Sequence, residues 1–188
     1  MSNARLQPLE PPYTDETGAT LAAMMPPGME PLRLFRTLAH NPRVLAKIRA
    51  GNLLDRGSIT RRDRELMILR TTARCGAQYE WGVHVAFFGP RAGLEAATIA
   101  ATVGAAADDP CWSQRDALLV ALADALHDQA AIPDALWAAL AVEWSAEQLI
   151  ELIVVAGFYH TIAFLVNGLG VEMEDGAPRF ADAGRPHQ

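Results

Sequence analysis

The chain has 188 residues, of which 51% are hydrophobic and 20% are charged, and its formal net charge is −6. This length suits one domain with a core of its own, and the hydrophobic fraction excludes a disordered chain. The acidic balance, with Lys47 as the only lysine, excludes the basic face that nucleic-acid binding needs.

The predicted elements are helical throughout, because alanine and leucine dominate the apolar residues. Residues 1–30 are rich in proline and glycine and are predicted to form an extended arm that packs on a surface or a neighbour. Residues 31–175 are predicted to form a single all-α domain of seven or eight helices, and residues 176–188 a loose tail.

Capping residues predict where individual helices begin and end. Asn41 and Asp134 are predicted N-caps of helices. Three further helices are predicted to begin at pairs of capping residues, namely Thr60 with Asp63, Ser113 with Asp116, and Ser145 with Gln148. Gly76 predicts the end of the helix that contains "TRRDRELMILRTTARC", and Gly168 or Gly170 predicts the end of the last long helix.

The segment "LIELIVVAGFYHTIAFLV" at residues 149–166 imitates a membrane span. It is at the short limit for spanning, and Glu151 and His160 interrupt it. A central helix, buried in a bundle or at a subunit interface, explains it better, so no membrane partner is expected.

The two cysteines, Cys75 and Cys111, have 35 residues between them. This spacing is neither a disulfide framework nor a zinc motif. The start "MSNARLQPLEPPY" has no apolar leader, so a reducing cytoplasm is the expected location.

Glu80 and His84 lie four residues apart, so that on a helix their side chains share one face. A carboxylate beside an imidazole fixes its tautomer and raises its pKa, which suits proton transfer near neutral pH. An ordinary helix-surface pair has the same spacing, although the surrounding "YEWGVHVAFF" indicates burial. From these residues alone the two interpretations are balanced.

Other candidates have simpler explanations in the sequence alone. Glu65 suits an acid in the first turn of a helix, and its meeting with His84 depends on how two helices cross. Cys75 suits a small buried residue. His160, Tyr159 and Asn167 suit hydrogen-bonded core residues, although Tyr159 and Asn167, eight residues apart, are expected to share roughly one face and line a pocket.

Motifs for other chemistry are absent from the sequence. It contains no HExxH or ExxH spacing, no Walker loop, no GxGxxG and no GxSxG. We therefore predict neither a metal nor another cofactor.

The segments "RDRELMILRTTARCGAQYEWGVHVAFFGPRAGL", "LLVALADALHD" and "EQLIELIVVAGFYHTIAFLVNGLGVEME" resemble the carboxymuconolactone decarboxylase family, within the alkylhydroperoxidase D-like superfamily. The resemblance covers roughly residues 32–175. It implies an all-helical fold that assembles into homo-oligomers, commonly trimers or multiples of them.

The redox branch of that superfamily uses a Cys-x-x-Cys pair before a histidine, with a glutamate upstream. When His84 is placed on that histidine, Glu65 falls on the glutamate and the two cysteine positions fall on Ala77 and Glu80. Both thiols are therefore missing, and Cys75 lies two residues too early to replace the first. Peroxide reduction needs an attacking thiolate and a second thiol that resolves the sulfenic acid.

The resemblance therefore implies an enzyme without a cofactor that decarboxylates a small organic acid or lactone, or carries out a related proton transfer, as in the catabolism of aromatic compounds. His84 is the expected general acid, oriented by Glu80, with Glu65 as a second relay residue. Arg91, or else Arg70 or Arg74, is expected to bind a substrate carboxylate. The apolar walls are expected to come from Trp81, Phe88 and Tyr159.

Two alternatives stay open at this stage. One is a thiol peroxidase that uses Cys75, and the other is a non-catalytic binding protein with the same fold. An open cavity beside His84 would favour an enzyme, whereas side chains that fill the space would favour the binding protein.

Overall fold

The structure, a computed structural model, describes residues 4–183, and within that range the chain forms ten α-helices and no β-strand. This composition confirms the predicted all-α class, and eight of the ten helices have at least seven residues. The helices are α1 (Asp15–Ala22), α2 (Arg33–Leu38), α3 (Pro42–Ala50), α4 (Arg61–Arg74), α5 (Gln78–Phe87), α6 (Gly89–Ala92), α7 (Ala96–Gly104), α8 (Gln114–Gln129), α9 (Asp134–Glu143) and α10 (Ala146–Leu169).

Helix α4 is the centre of the bundle. It packs against α5, α7, α8 and α10, and every residue from Asp63 to Thr72 is buried. Its apolar run from Leu66 to Leu69 is excluded from solvent on all sides. A helix buried all round must also give a partner to each charged side chain that it carries.

Helix α10 is the only described helix that is long and apolar enough to cross a membrane, on length and composition alone. It packs against α4, α5, α8 and α9, and eight of its residues are buried. This placement supports the interpretation as a core helix. Its outer face exposes Ile150, Val154 and Phe164. The expected self-association stays a prediction.

Most of the predicted helix boundaries are confirmed. The side chains of Asn41, Thr60, Ser113 and Ser145 accept hydrogen bonds from backbone N–H groups in the first turns of α3, α4, α8 and α10. Helix α4 ends at Arg74, and Gly76 follows its C-cap with a φ of 62°, in the left-handed region. Helix α10 ends at Leu169, and Gly170 is its C-cap. The Asp134 cap is wrong, because Pro133 holds the cap position and Asp134 is the first helical residue.

The N-terminal arm differs from the predicted extended form because it contains α1. Thr14 caps this helix, and Leu21 inserts into the main core with only 1% of its surface exposed. Before the helix, Leu9 N–H donates to the Arg36 carbonyl at 3.2 Å. One apolar anchor on a capped turn is enough to fold a segment whose prolines and glycines indicated extension.

The C-terminal segment is not loose over its described part. Residues Phe180–Asp182 form a 3₁₀ turn, and the Phe180 ring packs edge-on against Trp81 at 5.4 Å. The Pro178 carbonyl lies so close to Gly82 that a Cβ there would be 2.3 Å from its oxygen. Glycine at position 82 therefore permits the contact. Residues 184–188 of the predicted tail lie outside the described residues.

We expect Gly82→Ala to lower the free energy of unfolding by about 1–3 kcal/mol, because its methyl group collides with the backbone of Pro178. Gly157→Ala in α10 is the matched control, since a Cβ there meets no atom within 4 Å. The control should gain up to about 1 kcal/mol from helix propensity. Urea unfolding of both variants measures the two changes, and equal stabilities would contradict the close approach.

Candidate active site

The site is built on a buried contact between α4 and α5. Glu65 lies on α4, and its Oε2 is 2.7 Å from Nδ1 of His84 on α5. Their side chains are 1% and 3% exposed, so water hardly screens the pair. The crossing of the two helices therefore brings the residues together, which the sequence left undecided.

The other ring nitrogen of His84 faces two further polar groups. The Tyr159 hydroxyl lies 3.0 Å from Nε2, and Glu80 Oε1 lies 3.5 Å from it. Glu65 therefore makes the shorter contact with the ring, whereas Glu80 was expected from the sequence to orient it. Tyr159 was expected as a hydrogen-bonded core residue or as an apolar wall of the pocket, and its hydroxyl contacts the imidazole.

Two carboxylates change the titration of His84. Burial alone lowers its pKa, but the hydrogen bonds and charges of Glu65 and Glu80 outweigh burial and raise the pKa from 6.5 to about 9. Burial and the same carboxylates also raise the pKa of Tyr159 well above its ordinary value. At neutral pH the imidazole is protonated and the phenol is neutral.

A cavity of about 320 Å³ opens beside the ring, within the usual size of small-molecule sites. His84, Glu80 and Tyr159 all line it. Phe88 also lines it, as predicted, and stacks on the imidazole at 4.8 Å. Its other walls are mainly apolar and come largely from the N-terminal third of the chain and from α10, including Met24, Met25, Leu32, Phe35, Ile48, Phe158 and Ile162.

Arginine side chains at the cavity differ from those elsewhere in the bundle. Arg91 lines the cavity, as does Arg49, and both are solvent-exposed. Among residues 4–183 neither guanidinium has a hydrogen-bond or ion-pair partner. Arg70 and Arg74 are already paired with carboxylates of α8, the first with Asp124 at 2.7 Å. Of the three predicted carboxylate binders, only Arg91 is available at the cavity.

Two predicted wall residues lie elsewhere. Trp81 is one position after Glu80, so it points roughly 100° away on the helix, where its indole N–H donates to the Thr102 hydroxyl at 3.0 Å. Asn167 is eight residues after Tyr159, which rotates it by about 80°. Its amide donates to the Cys75 carbonyl at 2.9 Å. Neither residue lines the cavity beside His84.

Cys75 is the C-cap of α4 and lies away from the cavity that His84 lines. Burial raises the pKa of its thiol, although the Arg74 cation acts in the opposite direction. Its sulfur is 3.6 Å from Nδ1 of His127, which is itself 3.1 Å from Nε2 of His160. The other cysteine, Cys111, is exposed and lies between α7 and α8.

Sequence reasoning missed Arg49, the contacts around His127 and the cavity wall from the N-terminal arm. Each depends on helices that lie far apart in the sequence. The sequence held only a weak indication that Arg49 lines a site, namely its position in the last turn of a short helix just before Gly51.

Comparison with known proteins agrees with this architecture. Residues 41–124 match the carboxymuconolactone decarboxylase family. The match confirms the resemblance to that family over these residues, which include Glu65, Glu80 and His84. No curated protein matches the chain.

Two solved structures share its fold over nearly the whole length. A protein from Ralstonia eutropha, described as an alkylhydroperoxidase AhpD core and an uncharacterized peroxidase-related protein, is 17% identical with a TM-score of 0.78, over 97% of this chain and 98% of that one. An uncharacterized peroxidase-related protein from a Silicibacter species is 16% identical with a TM-score of 0.76, over 92% and 93%. At these identities the likeness shows a common fold.

We expect the His84 imidazole to titrate with a midpoint near pH 9, and Glu65→Gln to move the midpoint down because the neutral amide no longer stabilises the cation. Imidazole NMR across a pH series measures both midpoints. Glu147→Gln is the control, because Glu147 is an exposed residue in the first turn of α10.

The raised pKa of His84 also determines how the free energy of unfolding changes with pH. Since folding raises the pKa of His84, the stabilisation is fully present below pH 6.5 and is lost as the pH rises through about 9. Wild-type protein should therefore lose more stability than Glu65→Gln between pH 7 and pH 10. A larger loss in the variant would contradict the assignment.

Proposed function

We propose, from the carboxymuconolactone decarboxylase family match at residues 41–124, that the protein is an acid–base enzyme that acts without a cofactor. Its substrate would be a small organic acid or lactone, and its reaction a decarboxylation or a related proton transfer. The observation that carries this proposal is the buried, protonated His84 at the cavity wall, held by Glu65 at 2.7 Å.

The protonation state supports a general acid. With a pKa near 9, the ring carries its proton at neutral pH and can give it to a carbanion formed beside it. Because Glu65 accepts from Nδ1, the proton that faces the cavity is the one on Nε2. Glu80 and Tyr159, next to Nε2, are placed to return a proton to the ring.

The proposed step balances without a further reactant. The bond between a substrate carbon and its carboxylate breaks, CO₂ leaves, and the electron pair stays on the carbon as a dienolate. His84 then protonates that carbon and regains a proton from solvent through Glu80, whose side chain is 10% exposed. Apolar walls favour this step, since an ion with dispersed charge loses less hydration than a carboxylate.

Arg91 and Arg49 would bind a carboxylate that the product keeps. Both line the cavity, and no described residue neutralises either guanidinium. An arginine on the departing carboxylate would instead stabilise the ground state. The substrate class that fits best is therefore a small unsaturated lactone or keto acid with a second carboxylate. The open cavity also favours an enzyme over a non-catalytic binding protein with the same fold.

The alternative is a thiol peroxidase that uses Cys75. It is supported by the likeness to two proteins described as peroxidase-related and by the His127 imidazole, 3.6 Å from the sulfur. Against it, burial raises the pKa of the thiol, and Cys111 is exposed and far away in sequence. The Glu65–His84 pair also contacts neither cysteine.

We expect His84→Gln to lower turnover of an unsaturated lactone carboxylate by about 10²–10⁴-fold, the usual contribution of a positioned acid. Release of CO₂ measures turnover, and circular dichroism verifies the helical fold. His40→Gln is the control, since His40 is exposed and contacts the Gln7 carbonyl. Undiminished activity in His84→Gln, or no turnover of any lactone or keto acid by wild type, would contradict the proposal.

A peroxide-consumption assay with a dithiol donor tests the alternative. We expect the wild-type rate to equal that of Cys75→Ser, because burial raises the pKa of the Cys75 thiol and so disfavours the thiolate that attacks peroxide. A wild-type rate well above that of Cys75→Ser would favour the peroxidase.

A further inference from the structure

A second group of chemically reactive side chains lies outside the cavity. It joins three helices: Cys75 at the end of α4, His127 in the last turn of α8 and His160 in the middle of α10. Each is half-buried, and one ligand atom from each lies within 4.8 Å of the other two. We call these three residues the Cys–His–His cluster.

The backbone prepares one histidine of the cluster as a ligand. Nδ1 of His160 donates to the Ala156 carbonyl at 2.8 Å, which leaves the lone pair on Nε2. That lone pair points towards His127, whose Nδ1 is 3.1 Å away. Histidines that bind metals commonly donate their second ring N–H to a carbonyl in this way.

The spacing of the three atoms matches a known coordination geometry. A tetrahedral Zn²⁺, with Zn–S near 2.3 Å and Zn–N near 2.0–2.1 Å, separates sulfur from nitrogen by roughly 3.6 Å and nitrogen from nitrogen by roughly 3.3 Å. The observed separations are 3.6 Å and 3.1 Å. The third separation, between the Cys75 and His160 ligand atoms, is at most 4.8 Å. Side-chain movement of about 1 Å would therefore bring all three ligand atoms to tetrahedral spacing.

Nearby charges also favour a cation. Cys75 and His127 both lie at helix C-termini, where the helix dipole is negative. Arg74 is next to Cys75, but its guanidinium is paired with Asp128 at 2.6 Å and with Asp124 at 3.4 Å. The two aspartates therefore offset its positive charge.

We propose that the Cys–His–His cluster binds one Zn²⁺ ion per chain, with water as the fourth ligand. On binding, the thiol releases its proton to solvent, and His127 keeps one ring proton on Nε2. A thiolate with two imidazoles selects a borderline-soft ion of this kind, whereas Mg²⁺ and Ca²⁺ prefer oxygen ligands. This site is independent of the proposed acid–base reaction.

Titration of tag-free, full-length protein with Zn²⁺ by calorimetry tests the proposal. We expect one ion per chain in wild type. The affinity for Zn²⁺ should fall at least roughly 10- to 100-fold in Cys75→Ser and in His160→Gln. Loss of a residue that only hydrogen-bonds to a ligand already costs about this much, and these variants lose a ligand itself. Cys111→Ser and His40→Gln are the matched controls and should bind as wild type does, since both residues are exposed and outside the cluster.

Two further measurements exclude a folding artefact. Co²⁺ in place of Zn²⁺ should give a thiolate-to-metal charge-transfer band in wild type and in Cys111→Ser, but not in Cys75→Ser. Zn²⁺ should raise the Tm of wild type and leave that of Cys75→Ser unchanged. Absence of binding in wild type, or wild-type affinity in Cys75→Ser or in His160→Gln, would overturn the proposal.

Discussion

The central helix carries charged side chains into a region without water, and each of them needs a partner there. Asp63, Glu65 and Arg70 are all less than 5% exposed. Their partners, in the same order, are Arg115 at 2.8 Å, His84 at 2.7 Å and Asp124 at 2.7 Å. Removal of one member leaves an uncompensated buried charge, which is strongly destabilising. Neighbouring helices are thus joined to α4 by directional contacts as well as by apolar packing.

One of these pairs, Glu65 with His84, also forms the candidate active site. Glu65 cannot move without loss of its hydrogen bond from Arg64, whose guanidinium donates to the carbonyls of residues 54 and 55. The carboxylate therefore holds the His84 ring in one orientation and keeps it charged. Preorganisation of this kind is what general acid catalysis requires. The contact that pairs the buried charge of Glu65 is therefore the same contact that would position the acid in the proposed reaction.

What the sequence could predict was mostly local. Helix class and caps such as Asn41 and Ser145 depend on neighbours within one turn, and the pairing of Glu80 with His84 depends only on spacing. The 2.7 Å contact of Glu65 depends on how α4 crosses α5, and the Cys–His–His cluster depends on three helices at once. Asn167 was misplaced because an eight-residue interval departs from whole turns of 3.6 residues.

The wall that Ala23, Met24, Met25 and Pro26 contribute to the cavity has an evolutionary consequence. These residues precede the family region at 41–124, whereas Glu65, Glu80 and His84 lie inside it. Under the proposed function, two proteins with the same proton donor could therefore accept molecules of different shape. Methionine is well suited to such divergence, because its flexible thioether adapts to new neighbours at little energetic cost. Under the proposed function, substitutions at residues 23–26 would alter the shape of the cavity and leave the contact between His84 and Glu65 in place.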